Sequence, residues 1–99
     1  MTEALERLAA AGIQLLPTQL ASHFVFERSG FVCLVGRAGD GFGRAGSPGL
    51  MTEKGFAALV WRGDHAWFVC KGFEQPATEA QVQEIRAFDA DLRAALQPR

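Results

Sequence analysis

The alternation of hydrophobic and polar positions predicts a helix at each end of the chain and β-strands between them. Residues Thr2 to Ala11 carry leucines on one face and charged side chains elsewhere, which indicates a short amphipathic helix. Thr2 is suited to begin this helix and Gly12 to end it. Ile13 to Leu16 is expected to be extended, because the residue before a proline avoids the helical region.

The clearest element is a longer helix near the C-terminus, where five apolar residues recur at spacings of three and four. Thr78 and Gln81 have the spacing of a capping box, in which each side chain binds a backbone N–H of the other residue. Asp89 and Arg93 lie one turn apart, so we expect them to form an ion pair. The apolar stripe of this helix consists of Val82, Ile85, Phe88, Leu92 and Leu96.

Two β-hairpins are expected in the middle of the chain. Ser22 to Arg28 and Phe31 to Arg37 are rich in phenylalanine and valine and flank Ser29-Gly30, where glycine can supply the positive φ of a tight turn. The segments from Phe56 to Arg62 and from His65 to Lys71 repeat this arrangement around Gly63-Asp64.

These elements predict a single α+β domain over residues 1–99. Its sheet is expected to be an antiparallel four- to five-stranded meander, built from the two hairpins and flanked by the N-terminal helix and the longer C-terminal helix. The fifth strand would be Leu50 to Gly55, a segment that could instead close a loop. Six of the eleven glycines lie between Gly36 and Gly49, and this stretch is expected to be one long loop.

Folding each hairpin on its turn assigns its side chains to two faces, because alternate residues of a strand point to opposite sides of a sheet. One face is apolar throughout and is expected to form the main core beneath the C-terminal helix. It comprises Phe24, Phe26, Phe31, Cys33, Val35, Ala57, Leu59, Trp61, Ala66, Phe68 and Cys70.

The opposite face is also apolar at its centre. A patch of this size is seldom left bare in a soluble monomer, so we expect something to cover it. The cover could be the N-terminal helix or the segment with Leu15, Leu16 and Leu20. It could also be a second copy in a symmetric homodimer, or an apolar ligand or partner protein. The candidate interface residues are Val25, Val32, Leu34, Val60, Trp67 and Val69, with Ala58 between them and His23, Glu27, Arg62, His65 and Lys71 toward the strand ends.

Charge and composition narrow the possible partners. The formal net charge of −1 and a pI of about 6.1 give no reason to expect binding to nucleic acid, and no apolar run is long enough to span a membrane. The first residues are acidic and helical in pattern rather than basic, so we expect a cytoplasmic protein with reduced Cys33 and Cys70. The excess of arginine over lysine and the many alanines suggest a GC-rich bacterial genome.

No motif in the sequence fixes a chemistry. Residues 41–46 match the G-x-G-x-x-G fingerprint, but a dinucleotide site needs a helix directly after it and none is expected here, so we predict no cofactor. The two histidines and two cysteines lack the spacing of metal ligands and fall on opposite faces of the sheet, so we predict no metal site. We also identify no catalytic constellation.

Two functions are consistent with these sequence features. The first, which we favour because catalytic residues are not evident, is a homodimeric or partner-binding interaction module that uses the apolar second face. The alternative is a small-molecule-binding protein or small enzyme with a pocket between residues 36–49 and the sheet. Its candidate lining residues are Phe42, Arg44, Glu53 and Lys54, together with Trp67.

Overall fold

The structure, a computed structural model, describes residues 2–19, 21–39 and 41–97. Helix α1 (Thr2–Ala10) begins the chain, helix α2 (Glu79–Leu96) ends it, and the strands lie between them. In chain order the strands are β1 (Gln14–Leu16), β2 (His23–Arg28), β3 (Phe31–Ala38), β4 (Gly41–Ala45), β5 (Gly49–Thr52), β6 (Gly55–Arg62), β7 (His65–Cys70) and β8 (Phe73–Pro76).

The strands form one antiparallel sheet in the order β1-β2-β3-β5-β6-β7-β8, and β4 pairs with β3 on the same side as β5. Strands that follow one another in the chain are therefore mostly neighbours, and the sheet curves into a half-barrel. The predicted α+β class with an antiparallel sheet is confirmed. The predicted count of four to five strands is wrong, since the described part of the chain contains eight.

The glycine-rich stretch 36–49 is not one long loop. Strand β3 continues to Ala38, β4 follows, and β5 begins at Gly49. The glycines serve close packing of neighbouring backbones: a Cβ atom at Gly43 would lie 3.0 Å from the carbonyl oxygen of Gly36 across the β3–β4 pair. A glycine-rich sequence therefore forms a hairpin here, and β5 is the fifth strand that the sequence left undecided.

Strand β8 was not expected, because the last strand predicted from the sequence ends at Lys71. Pro76 lies in register with Trp67 of β7 at the edge of the sheet, where a residue without a backbone N–H leaves no ladder hydrogen bond unmade. The pairing continues one residue further, as Ala77 N donates to Ala66 O at 2.9 Å. This connection brings the chain directly into α2.

Local signals for the hairpins and for α2 are confirmed. Ser29 and Gly30 have φ values of 56° and 87°, as the tight β2–β3 turn requires. The Thr78 hydroxyl accepts from Gln81 N at 3.0 Å, and Thr78 N donates to Oε1 of Gln81 at 2.9 Å, so the capping box is present. Arg93 Nε donates to Oδ1 of Asp89 at 2.8 Å.

The core lies between α2 and one face of the sheet. Arg7 of α1 donates from Nε to the carbonyl oxygen of Ala95 in α2 at 3.0 Å, which fixes α1 on the same side as α2. Neither helix, in the part of the chain that the structure describes, is long and apolar enough to cross a membrane. The buried cluster contains Leu8, Ile13, Phe24, Phe26, Phe31, Cys33, Val35, Ala57, Phe68, Ile85, Phe88, Leu92 and Ala95.

Trp61 corrects the expected core. Its register partner is the buried Ala66, so Trp61 does lie on the helix-covered face, as the alternation along the strand predicts. Its side chain is nevertheless 51% exposed, and the guanidinium of Arg86 in α2 lies 5.6 Å from the centre of its ring. Leu59, one pleat closer to the centre of β6, is half-buried against the core.

Candidate functional site

The sheet face turned away from both helices is the principal candidate site, and we call it the outer face. Val25 lies opposite Leu34, Val60 opposite Trp67, and Ala58 opposite Val69, so these side chains share this face. Gly49 joins the two hairpins, because its partners are Val32 on one side and Ala58 on the other. The candidate interface residues therefore lie together on one continuous surface from β2 to β7.

Most of the candidate interface residues are partly open to solvent. Five of the six, all except Val32, are half-buried. Val32 is only 2% exposed, so it lies beneath the surface of the outer face and has almost no accessible area that a partner could bury. An antiparallel sheet with solvent on one side usually alternates polar residues there, and the apolar centre of the outer face departs from that pattern.

Three apolar residues extend the outer face beyond the candidate interface residues, and two of them, Phe56 and Met51, were missed by the sequence interpretation. Phe56 and Met51 are register partners on this face, and Met51 is 48% exposed. Leu16 extends the face at its other edge, opposite Val25. The alternation of side chains along a strand would have assigned Phe56 to this face, because it lies two residues before Ala58. Met51 and Leu16 lie in strands that the sequence pattern left uncertain.

The ring of Phe56 covers Gly49 at the centre of the outer face. A Cβ atom at Gly49 would lie 2.6 Å from Cζ of Phe56 and 2.4 Å from the carbonyl oxygen of Ala57. Only glycine fits under the ring, and the ring in turn closes the surface over the bare backbone. This packing gives the outer face a continuous apolar centre despite the missing side chain.

Charged side chains surround this apolar centre at the strand ends. The Arg62 guanidinium lies 5.1 Å from the centre of the Trp67 ring and forms an ion pair with Glu74 of β8. Glu27 accepts a hydrogen bond from Gly30 N at 3.2 Å through Oε2. An apolar centre with a charged rim is the usual anatomy of a protein–protein interface.

The N-terminal segment does not fold over the outer face. Helix α1 packs against α2 on the opposite side of the sheet, with Leu8 in the core. In β1, Leu15 lies opposite Phe26 on the helix-covered side, and Leu16 only lengthens the outer face at its edge. Of the three covers that the sequence left open, α1 and the segment with Leu15 and Leu16 are therefore not found on the outer face; Leu20 lies outside the described residues.

The residues proposed for a ligand pocket do not come together. Phe42 packs edge-on against Phe24, with 4.8 Å between ring centres, and so belongs to the core layer. Arg44 is exposed on β4, which pairs with the C-terminal half of β3. Glu53 and Lys54 are exposed in the β5–β6 turn, beyond the N-terminal end of β3, and Trp67 lies on the outer face. These groups do not line one pocket.

The cysteines and histidines do not form a reactive group. Burial raises the pKa of Cys33 to about 11, and its thiol donates to Gly46 O at 3.4 Å, so the nucleophilic thiolate is disfavoured. Cys70 lies on β7, which is separated from β3 by two strands. His23 and His65 are on the outer face, away from both cysteines. Among the described residues there is no cluster of three or more potential metal ligands.

Comparison of the chain with protein-family models, curated proteins and solved structures gave no significant match. The outer face and its surroundings are therefore the basis on which a function can be argued.

Proposed function

We propose that this protein is an interaction module that forms a symmetric homodimer through the outer face of its sheet. The observation that carries the proposal is that both described helices lie on the other face, which leaves a continuous apolar surface open to solvent. Covering apolar surface is the main source of free energy in protein association.

The dimensions of the outer face suit a small dimer. Five strands from β2 to β7 spaced about 4.8 Å apart, each about six residues long at about 3.4 Å per residue, give a projected area of about 500 Å². Two copies would then bury about 1,000 Å² before side-chain relief is counted, which reaches the lower range of specific interfaces. Met51 and Leu16 would add to this area at the margins.

The rim charges also suit a two-fold arrangement. Strands β2 and β7 run in the same direction, so Glu27 near the end of β2 and Lys71 just after β7 lie at the same end of the sheet. A two-fold axis parallel to the central strands exchanges the β2 side with the β7 side. It would place Glu27 of one copy near Lys71 of the other, a pairing of opposite charges that favours this orientation.

The test is the absolute mass in solution, measured by light scattering coupled to size exclusion over a dilution series. We expect twice the chain mass of 10.7 kDa at micromolar concentration. Val60→Lys places a charge near the proposed axis and should raise the dissociation constant by at least about a hundredfold. Leu5→Lys is the matched control, because Leu5 is an exposed leucine on α1.

Two results would overturn the proposal. One is a wild-type chain that stays monomeric up to millimolar concentration. The other is a dimer that the Val60 and Leu5 variants weaken equally, since the outer face would then have no special part in it. Circular dichroism of each variant distinguishes loss of the dimer from loss of the fold.

A further inference from the structure

A cleft of about 410 Å³ lies beside the start of helix α2, on the helix-covered side of the sheet. Its volume falls within the range of about 300–1,000 Å³ that is usual for small-molecule sites. One wall is the end of the β6–β7 hairpin, with Trp61, Asp64 and Ala66. The other wall is the first part of α2, with Glu79 and Val82.

The middle of the cleft is apolar. Ala66 is the register partner of Trp61, and Ala77 N donates to Ala66 O at 2.9 Å, so the connection before α2 closes one side of the cleft. Val82 is half-buried on the facing side of α2. The Trp61 side chain is 51% exposed, so about half of its surface is open to an occupant of the cleft.

Two carboxylates lie at the hairpin end of the cleft. Asp64 is in the β6–β7 turn, and Glu79 is the first residue of α2, which begins at this end of the sheet. Neither side chain forms an ion pair with another residue that the structure describes. The first turn of a helix stabilises a negative charge, so the charge of Glu79 is partly offset, whereas that of Asp64 is not.

Arg86 brings a positive charge to the other end of the cleft. Glu79, Val82 and Arg86 are spaced by three and four residues, so they share one side of α2, and Arg86 lies about 10 Å further along the axis than Glu79. Its guanidinium is 5.6 Å from the centre of the Trp61 ring, so this ring already contacts a cation in the free protein. Two carboxylates and one guanidinium leave the cleft with a net negative charge when His65 is neutral.

We propose that the cleft binds a small organic cation, in which an ammonium group is joined to an apolar or aromatic body. The ammonium would lie near Asp64 and Glu79, where its charge complements theirs. The apolar body would lie against Trp61, Ala66 and Val82, and the exposed part of the indole ring would attract the cation further. This small-molecule site is additional to the interaction proposed for the outer face.

Three probes with similar aromatic bodies and different charges test the proposal: phenethylammonium, phenethyl alcohol and phenylacetate. Each is titrated into the isotopically labelled chain and followed by NMR. We expect phenethylammonium to bind in the millimolar range and to shift the signals of Trp61, Ala66 and Val82. The alcohol should bind at least about fivefold more weakly, because it lacks the charge, and phenylacetate more weakly still.

Substitutions in the cleft separate the contributions of charge and ring. Asp64→Asn combined with Glu79→Gln should weaken phenethylammonium binding at least about fivefold. Trp61→Leu, which keeps an apolar side chain without the ring, should weaken it at least about threefold. Arg86→Gln should strengthen it about twofold or more, because a like charge is removed from the cleft. Glu53→Gln is the matched control and should change nothing, since Glu53 is an exposed carboxylate at the other end of β6.

Four results would overturn the proposal. The first is that phenethylammonium at about 10 mM, well above the affinity expected for so small a ligand, shifts no signal in the cleft. The second is equal binding of the three probes, and the third is a double carboxylate variant that binds like Glu53→Gln. The fourth is that the probe shifts Leu16 and Met51 instead, which would place it on the outer face. The comparison does not depend on the dimer, because Trp61, Asp64 and Glu79 lie outside the outer face.

Discussion

Replacing Gly49 by alanine tests the packing at the centre of the outer face. The added Cβ would lie 2.4 Å from the carbonyl oxygen of Ala57 and within 2.6 Å and 2.8 Å of two ring atoms of Phe56. The φ of Gly49 is not positive, so the cost comes from crowding and not from backbone conformation. The ring can turn away, but the Ala57 carbonyl belongs to the neighbouring strand and can move only with β6.

The expected magnitude follows from these contacts. Overpacking of a well-packed site costs about 1–3 kcal/mol. Replacing glycine by alanine also lowers the conformational entropy of the unfolded chain, which offsets about 0.4–1 kcal/mol of this cost. Because the closest atom is backbone, we expect a net loss near 2 kcal/mol in the free energy of unfolding. For a chain of this length that corresponds to a fall in Tm of about 10 °C.

Chemical unfolding followed by circular dichroism measures this loss. Gly41→Ala is the matched control, because a Cβ there meets only the carbonyl oxygen of Ala38 at 3.9 Å, and it should change stability by less than about 0.5 kcal/mol. Phe56→Ala in the Gly49→Ala background should recover the part of the loss due to the ring and leave the part due to Ala57. If Gly49→Ala is as stable as the wild type, or if the two substitutions are strictly additive, the close packing described here is refuted.

Two further predictions concern α2 and the core. Thr78→Ala removes one half of the capping box and should lower the free energy of unfolding by about 1 kcal/mol, measured by thermal unfolding; an unchanged Tm would show that the cap is not needed. The raised pKa of Cys33, about 11 against 9.0, means that the unfolded thiol ionises first as pH rises. Stability should therefore be complete below pH 9 and fall by about 3 kcal/mol as pH rises from 9 through 11. Cys33→Ala should abolish this fall, and a slope retained in that variant would place its origin elsewhere.

The elements that depend on neighbouring residues could be predicted from the sequence. The capping box of Thr78 with Gln81, the turn at Ser29-Gly30 and the two faces of each hairpin are all local consequences of side-chain chemistry or strand alternation. The outer face could be predicted for the same reason, because alternation assigns Val60 and Trp67 to one side whatever the rest of the chain does.

The features that depend on which strands meet could not be predicted. A strand pattern shows which side of a sheet Leu59 and Trp61 face, but not whether another strand lies beside them. The break at residues 46–48 separates β4, which pairs with β3, from β5, which pairs with β6 only as far as Ala58. Likewise, the closeness of Gly43 to Gly36 exists only once β3 and β4 have paired, so glycines that form a hairpin look like a loop in the sequence.

The lengths and placement of the two helices explain why the described chain leaves one face of its sheet without a helix. Helix α2 has 18 residues and is therefore about 27 Å long and about 10 Å wide, while the seven strand positions of the sheet span about 34 Å. One such helix covers only a stripe of one face, and α1, with nine residues, packs beside its end. Both helices of the described chain lie on this one face, so neither covers any part of the outer face.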